Sequence, residues 1–416
     1  MRILVLGSGA REHAIITSLL SEEAGHEITA APGNAGISAQ VETVALDPSN
    51  GAVVAQYAAD NGIQLVVIGP EAPLVAGVAD HLRRKGIPTF GPDKKAAALE
   101  GSKAFAKRIM EAAGVPTGRA ARAERIDDAL AAMDEFGAPY VIKADGLAAG
   151  KGVIVTDDRE AAQHHAEYWL QHGGVLVEEF LDGQEISLFL LSDGEHVLPL
   201  EPAQDYKRAL DNDEGPNTGG MGAYSPLPWL PAGFVDEVID TVALPTVRQL
   251  ASEGTPFVGL LYCGLILTKN GIRVIEFNAR FGDPETQVVL PRLTTPLSAL
   301  LYAAATNALS ALPRPEFTDD VAVTVVLASE GYPENPLTGR PISGLEAAAA
   351  VPGVSIAHAA TASTETAFVA TGGRVLSVVA TGSDFAEARA RAYEALGHIE
   401  LQGSHYRTDI ALRVAQ

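Results

Sequence analysis

The chain has 416 residues, 47% hydrophobic and 20% charged, with 52 acidic against 30 basic side chains and a formal net charge of −22. That length exceeds one ordinary core and the composition is globular rather than disordered, so two to four packed units are expected. A field of that sign repels nucleic acid and anionic membrane but leaves phosphate ligands open, because backbone amides and a few placed cations hold them locally.

Along the chain, Ile3–Leu6 reads as a buried strand leading into Gly7-Ser8-Gly9 and a helix from Arg11 to Leu20. This opening apolar stretch is too short for a signal peptide, and no run reaches ~18 apolar residues, so a cytoplasmic protein is expected. A strand at Ile28–Ala30, a helix at Ala52–Asn61, the strand Leu65–Ile68 and a helix at Val75–Lys85 follow. Short continuous apolar strands separated by helices predict a parallel sheet covered on both faces. After the helix Lys103–Ala113, Gly114-Val115-Pro116 marks a break. Helix Asp127–Phe136, strands Tyr140–Lys143 and Gly152–Val155, helix Arg159–Leu170 and strand Val175–Glu179 then suggest a small α+β lobe. Asp205–Pro228 holds too many Gly, Pro, Asn and Asp residues for regular structure, and a loop of that length is usually functional. Leu260–Thr268 and Ile272–Glu276 form a hairpin through Lys269-Asn270-Gly271. The lone cysteine, Cys263, lies in that apolar run as a core side chain; it excludes an intramolecular disulfide and fits a reducing compartment. Past Pro313–Phe317, strands Val321–Ala328 and Val375–Ala380 and helix Phe385–Leu396 form a further unit.

Gly7-Ser8-Gly9-Ala10-Arg11-Glu12 opens a helix after a strand, where glycines let the backbone approach an anion. The dinucleotide fingerprint wants a third glycine at position 12, which is Glu, so the turn is either a site for some other phosphate or a structural tight turn. In Lys143-Ala144-Asp145-Gly146-Leu147-Ala148-Ala149-Gly150-Lys151-Gly152, one lysine ends a strand and a second sits in a glycine-rich hairpin able to fold over polyphosphate. The Walker pattern is absent. Glu178-Glu179-Phe180-Leu181, with Glu185 a turn later, fits either a purine and ribose cradle or a strand end with solvated acids. Glu276 and Asn278 share one face of a strand and offer two hard oxygen ligands suited to Mg²⁺ bridging nucleotide phosphates. Arg280 and Asp283-Pro284-Glu285 crowd the next turn. No Gly-x-Ser-x-Gly elbow or Cys/His pair supports covalent hydrolase chemistry.

A lysine, a glycine lid with lysine, an acidic hinge and Glu-x-Asn, in that order, resemble the ATP-grasp superfamily. Ile68–Leu74, Leu99–Lys103, Lys143–Gly152, Gly215–Pro226, Glu276–Gln287 and Thr371–Leu376 resemble signature stretches of its glycinamide ribonucleotide synthetase family, across essentially the whole chain. The resemblance implies α/β and α+β architecture. An N-terminal Rossmann-like parallel-sheet domain (1–102) would precede a small mobile lid lobe (103–187). A central ATP-grasp lobe (188–316) and a C-terminal small α/β domain (317–416) would follow. It also implies ATP-driven ligation of glycine to 5-phospho-β-D-ribosylamine, through glycyl phosphate, in purine biosynthesis, with Mg²⁺ or Mn²⁺. Its partners would be these small molecules alone, with no nucleic acid or membrane, and the protein would act as a monomer.

By the same resemblance Lys103, Lys143, Gly150, Lys151 and Gly152 would hold the nucleotide phosphates. Glu178, Glu179 and Leu181 would meet adenine, Glu185 the ribose, and Glu276 and Asn278 the metal. Arg280, Lys151 and Asp205 would be catalytic, Arg280 steadying the carboxylate and then the acyl phosphate. Asn217, Thr218, Gly219, Gly220 and Met221 would orient the amino substrate. Gly9, Arg11, Glu12, Asn34, Glu71, Asp283 and Arg374 would complete the substrate site. Three positions depart from the family pattern: Ala10 replaces a glycine, Tyr206 a frequent histidine, and Gly264-Leu265-Ile266 a region that often carries an acid. Rival readings are another ATP-grasp ligase acting on a purine intermediate or an amino acid, such as a carboxyaminoimidazole-forming enzyme, a Rossmann oxidoreductase argued from the first turn alone, and a non-catalytic nucleotide sensor.

Overall fold

The computed structural model describes residues 1–146 and 152–416. The first part is a parallel sheet, order β3-β2-β1-β4-β5, from β1 (Arg2–Gly7), β2 (Glu27–Pro32), β3 (Glu42–Thr43), β4 (Leu65–Ile68) and β5 (Thr89–Phe90). Its connections are α1 (Ala10–Leu20), α2 (Ala35–Ser38), α3 (Gly51–Asp60), α4 (Glu71–Ala76) and α5 (Val78–Arg84). Alternation along the strands sends Leu4, Leu6, Val66 and Ile68 into one core and Ile3, Val5, Leu65 and Val67 into another. Both faces are therefore buried, which is why the strands are unbroken apolar runs. The single helix expected over Val75–Lys85 is instead two, starting at Glu71 and broken at Gly77, whose φ of 85° is left-handed. Glycine adopts that conformation without strain and ends the first helix there.

Helices α6 (Lys94–Gly101) and α7 (Lys103–Ala113) lead to an antiparallel sheet, order β6-β9-β7-β8. It is made of β6 (Ala120–Ala123), β7 (Tyr140–Ala144), β8 (Val153–Thr156) and β9 (Val175–Glu178), packed by α8 (Ile126–Phe136) and α9 (Arg159–Leu170). This lobe has its own small core, including Ala129, Met133, Ile142, Ala166 and Val177.

The segment expected to be irregular is built of short strands. After β10 (Gln184–Asp193) and β11 (Val197–Pro199) come β12 (Gln204–Asp205), β13 (Arg208–Leu210), β14 (Glu214–Asn217) and β15 (Gly222–Ser225). Strands of two to four residues leave no readable period, so the turn residues between them dominate the pattern. β16 (Val258–Thr268) and β17 (Gly271–Asn278) pair as the expected hairpin, within a sheet ordered β11-β10-β16-β17. Cys263 is fully buried there, and burial pushes its thiol far above the usual range.

β18 (Val321–Ala328) opens the tail. It is followed by β19 (Pro341–Ser343), β20 (Val354–His358), β21 (Thr361–Ser363), β22 (Phe368–Ala370), β23 (Arg374–Gly382) and β24 (Glu400–Leu401). Strands β12 and β15 join β18, β20 and β23 in one sheet, order β12-β15-β18-β23-β20, and the other four form a second, order β21-β22-β19-β24. Among the described residues no helix is long and apolar enough to cross a membrane.

The β13–β14 hairpin is fastened to the chain's end by Arg407, 1% exposed. Its guanidinium donates to both oxygens of Asp409 (2.8 and 2.6 Å), to Asp213 Oδ1 (2.8 Å) and to the Arg208 carbonyl (3.2 Å), and lies 4.8 Å above the Tyr206 ring. Arg407→Ala should strand Asp409 and loosen the hairpin, lowering the unfolding free energy by about 3 kcal/mol. An unchanged urea midpoint would contradict this.

Candidate active site

Lys143 is the penultimate residue of β7, and its side chain reaches Glu178 on β9. Its Nζ donates to Glu178 Oε2 (3.0 Å) and to the Ile275 carbonyl (3.3 Å). Lys107 Nζ stands 3.2 Å from the same carboxylate oxygen and also donates to Thr117 Oγ1 and the Gly118 carbonyl. One turn earlier on α7, Lys103 donates to the Gly146 carbonyl (3.1 Å). Burial lowers the pKa of Lys103 and of Lys107, against the pull of Glu276 and Glu178 respectively. Glu179 turns outward, accepting from the Arg119 amide (2.8 Å) and Nε (3.0 Å). Leu181 flanks Gly118, and Glu185 on β10 is paired with Lys207. Gly152 is buried, its carbonyl accepting from the Ala144 amide. Gly150 and Lys151 lie outside the described residues.

Glu276 and Asn278 project from β17, and among the described residues neither side chain has a hydrogen-bond partner. Gly264 pairs with Glu276 across the ladder, and a β-carbon there would sit 3.1 Å from Glu276 Cγ. The residue standing where an extra acid was considered therefore makes room for Glu276. Burial raises the pKa of Glu276, but Lys207, Lys143 and Lys103 together hold it below its usual value. An ionised, unpartnered carboxylate beside an amide oxygen suits a hard divalent cation that keeps several waters.

Arg280 follows on the turn. Its Nη2 meets Glu100 Oε1 (3.0 Å), its Nε faces Glu71 Oε2 (3.5 Å), and its Nη1 donates to the Phe281 carbonyl (3.1 Å). Burial works against the guanidinium charge, but Glu100 and Glu71 reverse this and hold its pKa above the ordinary value. Glu71 is lowered, since Arg280 and Arg11 outweigh its burial; Glu100, also held by the Ala279 amide (2.8 Å), is raised by burial despite Arg280. Asp205 faces the same charges: burial pushes it up to about 7, opposed by Lys207 and reinforced by Glu285, Glu185 and Glu276. Glu285 is itself fixed by Ser187 Oγ (3.0 Å) and the Tyr262 hydroxyl. The Tyr206 ring lies under Arg407 and its hydroxyl accepts from the Ala411 amide (3.0 Å), so this side chain is engaged by the C-terminal segment.

Two residues beyond Phe281 the same turn enters a cavity of about 450 Å³, lined among others by Ser8, Gly9, Asn34, Asp283, Thr361 and Arg374. Glu12 is folded back beneath the first turn: it accepts from the Gly9 amide (2.6 Å) and Arg11 Nε (2.5 Å), and a β-carbon at Gly69 would fall 2.1 Å from it. That is why position 12 breaks the dinucleotide pattern, for the carboxylate takes an amide that a pyrophosphate would need. Arg11 also donates to the Phe281 carbonyl (3.1 Å). Asn34 Oδ1 caps α2 by accepting from Gly36 and Ile37. Arg374 reaches Asp283 Oδ2 (3.3 Å), the Asp283 carbonyl (2.7 Å) and the Gly219 carbonyl (2.6 Å). The loop is held by Thr218 donating to the Lys207 carbonyl (2.9 Å), by Asn217 accepting weakly from Arg208, and by buried Met221. The Gly219 amide donates to Tyr332 (2.9 Å), and Gly220, at φ 110°, packs on Pro284 where a β-carbon would clash.

Sequence reasoning therefore gave no role to Glu100, Lys107, Lys207 and Tyr332, and named Glu285 only as part of a charged turn. Lys107 had a signal, four residues after Lys103 on one helix face; Glu100 lay inside a quoted stretch. The others become visible only when strands distant in sequence are paired.

Residues 1–100, 101–286 and 322–413 match the N domain, the ATP-grasp (A) domain and the C domain of phosphoribosylglycinamide synthetase. A phosphoribosylamine–glycine ligase of Leifsonia xyli subsp. xyli is 73% identical over 99% of this chain and 100% of its own length. One from Streptomyces coelicolor is 58% identical over the full length of both. The crystal structure of phosphoribosylamine–glycine ligase from Thermotoga maritima superposes with a TM-score of 0.85 at 33% identity, covering 98% of this chain and 100% of that one. A biotin carboxylase domain from Hydrogenobacter thermophilus, 18% identical with a TM-score of 0.71 over 97% and 91% of the two chains, shares the fold. The chain belongs to the phosphoribosylglycinamide synthetase family of ATP-grasp ligases.

Proposed function

We propose that this protein is a phosphoribosylamine–glycine ligase, converting ATP, glycine and 5-phospho-β-D-ribosylamine into ADP, phosphate and glycinamide ribonucleotide in purine biosynthesis. The observation that carries the reading is the turn Arg280–Glu285, which has the carboxylate-flanked arginine of the phosphoryl cleft at one end and the wall of the 450 Å³ cavity at the other. One turn thus spans a site for a transferring phosphoryl group and a separate site large enough for a sugar phosphate.

In this reading Lys103 and Lys143 hold the nucleotide phosphates, with Lys151, Gly150 and Gly152 closing over them. Glu178, Glu179 and Leu181 border adenine, and Glu185 leaves Lys207 for the ribose hydroxyls. Glu276 and Asn278 would hold Mg²⁺ (or Mn²⁺), which would supply charge neutralisation to the transferring phosphoryl group. A glycine carboxylate oxygen attacks the γ-phosphorus and ADP departs. Arg280 steadies the acyl phosphate so formed. The ribosylamine nitrogen then attacks the acyl carbon, phosphate leaves, and Asp205 accepts the amine proton. Gly9, Arg11, Glu12, Asn34, Glu71, Asp283 and Arg374 form or brace the phosphoribosyl site, while Asn217–Met221 orient the amine. Exclusion of water matters, since an acyl phosphate hydrolyses if water reaches it. The segments 1–102, 103–187, 188–316 and 317–416 serve as substrate domain, lid lobe, central lobe and closing domain.

ADP release should require glycine and the ribosylamine together; release with ATP alone, or with another carboxylate in place of glycine, would overturn the substrate assignment. Glu276→Gln and Asn278→Ala should each cut Mg²⁺-dependent turnover on the order of a hundredfold with the melting temperature nearly unchanged, and near-normal rates in both would remove the metal assignment. Arg280→Lys should depress kcat far more than it raises KM for ATP; the reverse would make Arg280 a nucleotide ligand. For Asp205, the base form is gained as pH rises through about 7. The kcat/KM for the amine should therefore climb across that range and flatten in Asp205→Asn; an unaltered profile would exclude Asp205 as the proton acceptor.

A further inference from the structure

The edge strand β20 ends at His358, and the next three residues, Ala359, Ala360 and Thr361, line the 450 Å³ cavity. An edge strand leaves outward-facing backbone groups that need partners once buried. Here the amide and the carbonyl of one residue, His358, are both claimed by the far end of the sequence. The His358 amide donates to His13 Nδ1 (2.8 Å), and the His358 carbonyl accepts from Asn34 Nδ2 (2.7 Å). The same Asn34 nitrogen donates to the Ser8 carbonyl (2.9 Å), and Ser8 is on the opposite wall of the cavity. His358 Nδ1 lies 3.1 Å from Thr361 Oγ1, extending the chain of contacts to the lining.

His13 is 2% exposed, does not line the cavity, and meets the His358 ring at 5.7 Å and 49°. Gly36 permits that approach: a β-carbon there would lie 2.4 Å from His358 Cγ and 2.7 Å from His13 Cε1. Since Nδ1 accepts a hydrogen bond, it carries no proton. Burial and His358 push His13 down to about 4, so the acceptor persists at neutral pH.

We infer that His13 is a positioning residue for the phosphoribosyl site, acting through the His358 peptide to set the 359–361 wall against the Ser8–Asn34 wall. The inference rests on the assignment of that cavity to the sugar phosphate. A histidine that merely filled the core would affect folding, or all ligands alike. A positioning histidine affects the amine substrate and product selectively.

The test is calorimetric binding of glycinamide ribonucleotide to the full-length protein and its His13→Leu and His13→Asn variants, with KM for ATP measured alongside. Leucine keeps bulk but removes the acceptor, whereas asparagine places an oxygen close to the Nδ1 position. His13→Leu should bind the product about tenfold more weakly with KM for ATP unchanged, and His13→Asn should recover most of that loss. Equal product binding by His13→Leu and wild type, or parallel loss of ATP and product, would overturn the inference. Absence of product binding by the wild type would instead overturn the cavity assignment beneath it. Should His13→Leu not fold, Gly36→Ala, which drives a methyl group between the two rings, should give the same selective loss; wild-type product binding there would overturn the positioning role.

Discussion

Arg280, half-buried between Glu71 and Glu100, states the constraint under which the whole site is built. A chain of net charge −22 must gather cations for anionic ligands, and an unpaired buried cation is costly. The solution recurs around the cleft. Lys143 and Lys107 share Glu178, Lys207 has Glu185, Arg11 has Glu12, and Arg374 has Asp283. Each cation is thereby oriented before any ligand arrives, which is the form of electrostatic preorganisation that phosphoryl transfer rewards most. The acidic surplus is not idle, because Glu276 and Asp205, which share Lys207 as a neighbour, are pushed in opposite directions by the rest of their surroundings. Three lysines keep Glu276 ionised, whereas burial and three carboxylates keep Asp205 near neutrality's edge.

The fold supplies the geometry by bringing remote segments to one turn. β17 presents Glu276 and Asn278, the turn after it carries Arg280 and Asp283, and α6 contributes Glu100 from the first part of the chain. The tail closes the cavity from the other side through Arg374 and the 358–361 segment. Its last residues, through Arg407, also brace the hairpin next to Asp205. Cleft and cavity therefore share one turn, which carries Arg280 at one end and Asp283 in the cavity wall at the other.

Much of this was legible in the residues. Lys143 before a glycine-rich segment and Glu276-x-Asn278 on a strand are local patterns, and the shared face of Glu276 and Asn278 follows from strand alternation alone. The two-sided burial of the first sheet was legible for the same reason. What escaped depended on tertiary pairing: Glu285 was legible as part of a charged turn, but its partners appear only when β10 and β16 bring Ser187 and Tyr262 to it. Tyr206 looked like a lost catalytic histidine until Arg407, two hundred residues away, proved to cover its ring. Gly264 looked like a missing ligand, yet opposite Glu276 it provides the room that the ligand needs. The short strands β12 to β15 were hidden by their turns, and the break at Gly77 by an otherwise continuous helical period.

The central claim is that glycine is activated as an acyl phosphate in the cleft flanked by Lys143, Glu276 and Arg280. Turnover with glycine labelled by ¹⁸O in its carboxylate tests it most directly, with the released inorganic phosphate read by mass spectrometry. The account predicts one ¹⁸O atom transferred to each phosphate, because the oxygen that attacks the γ-phosphorus leaves with it. Phosphate free of label would contradict the acyl phosphate and the roles assigned to the cleft.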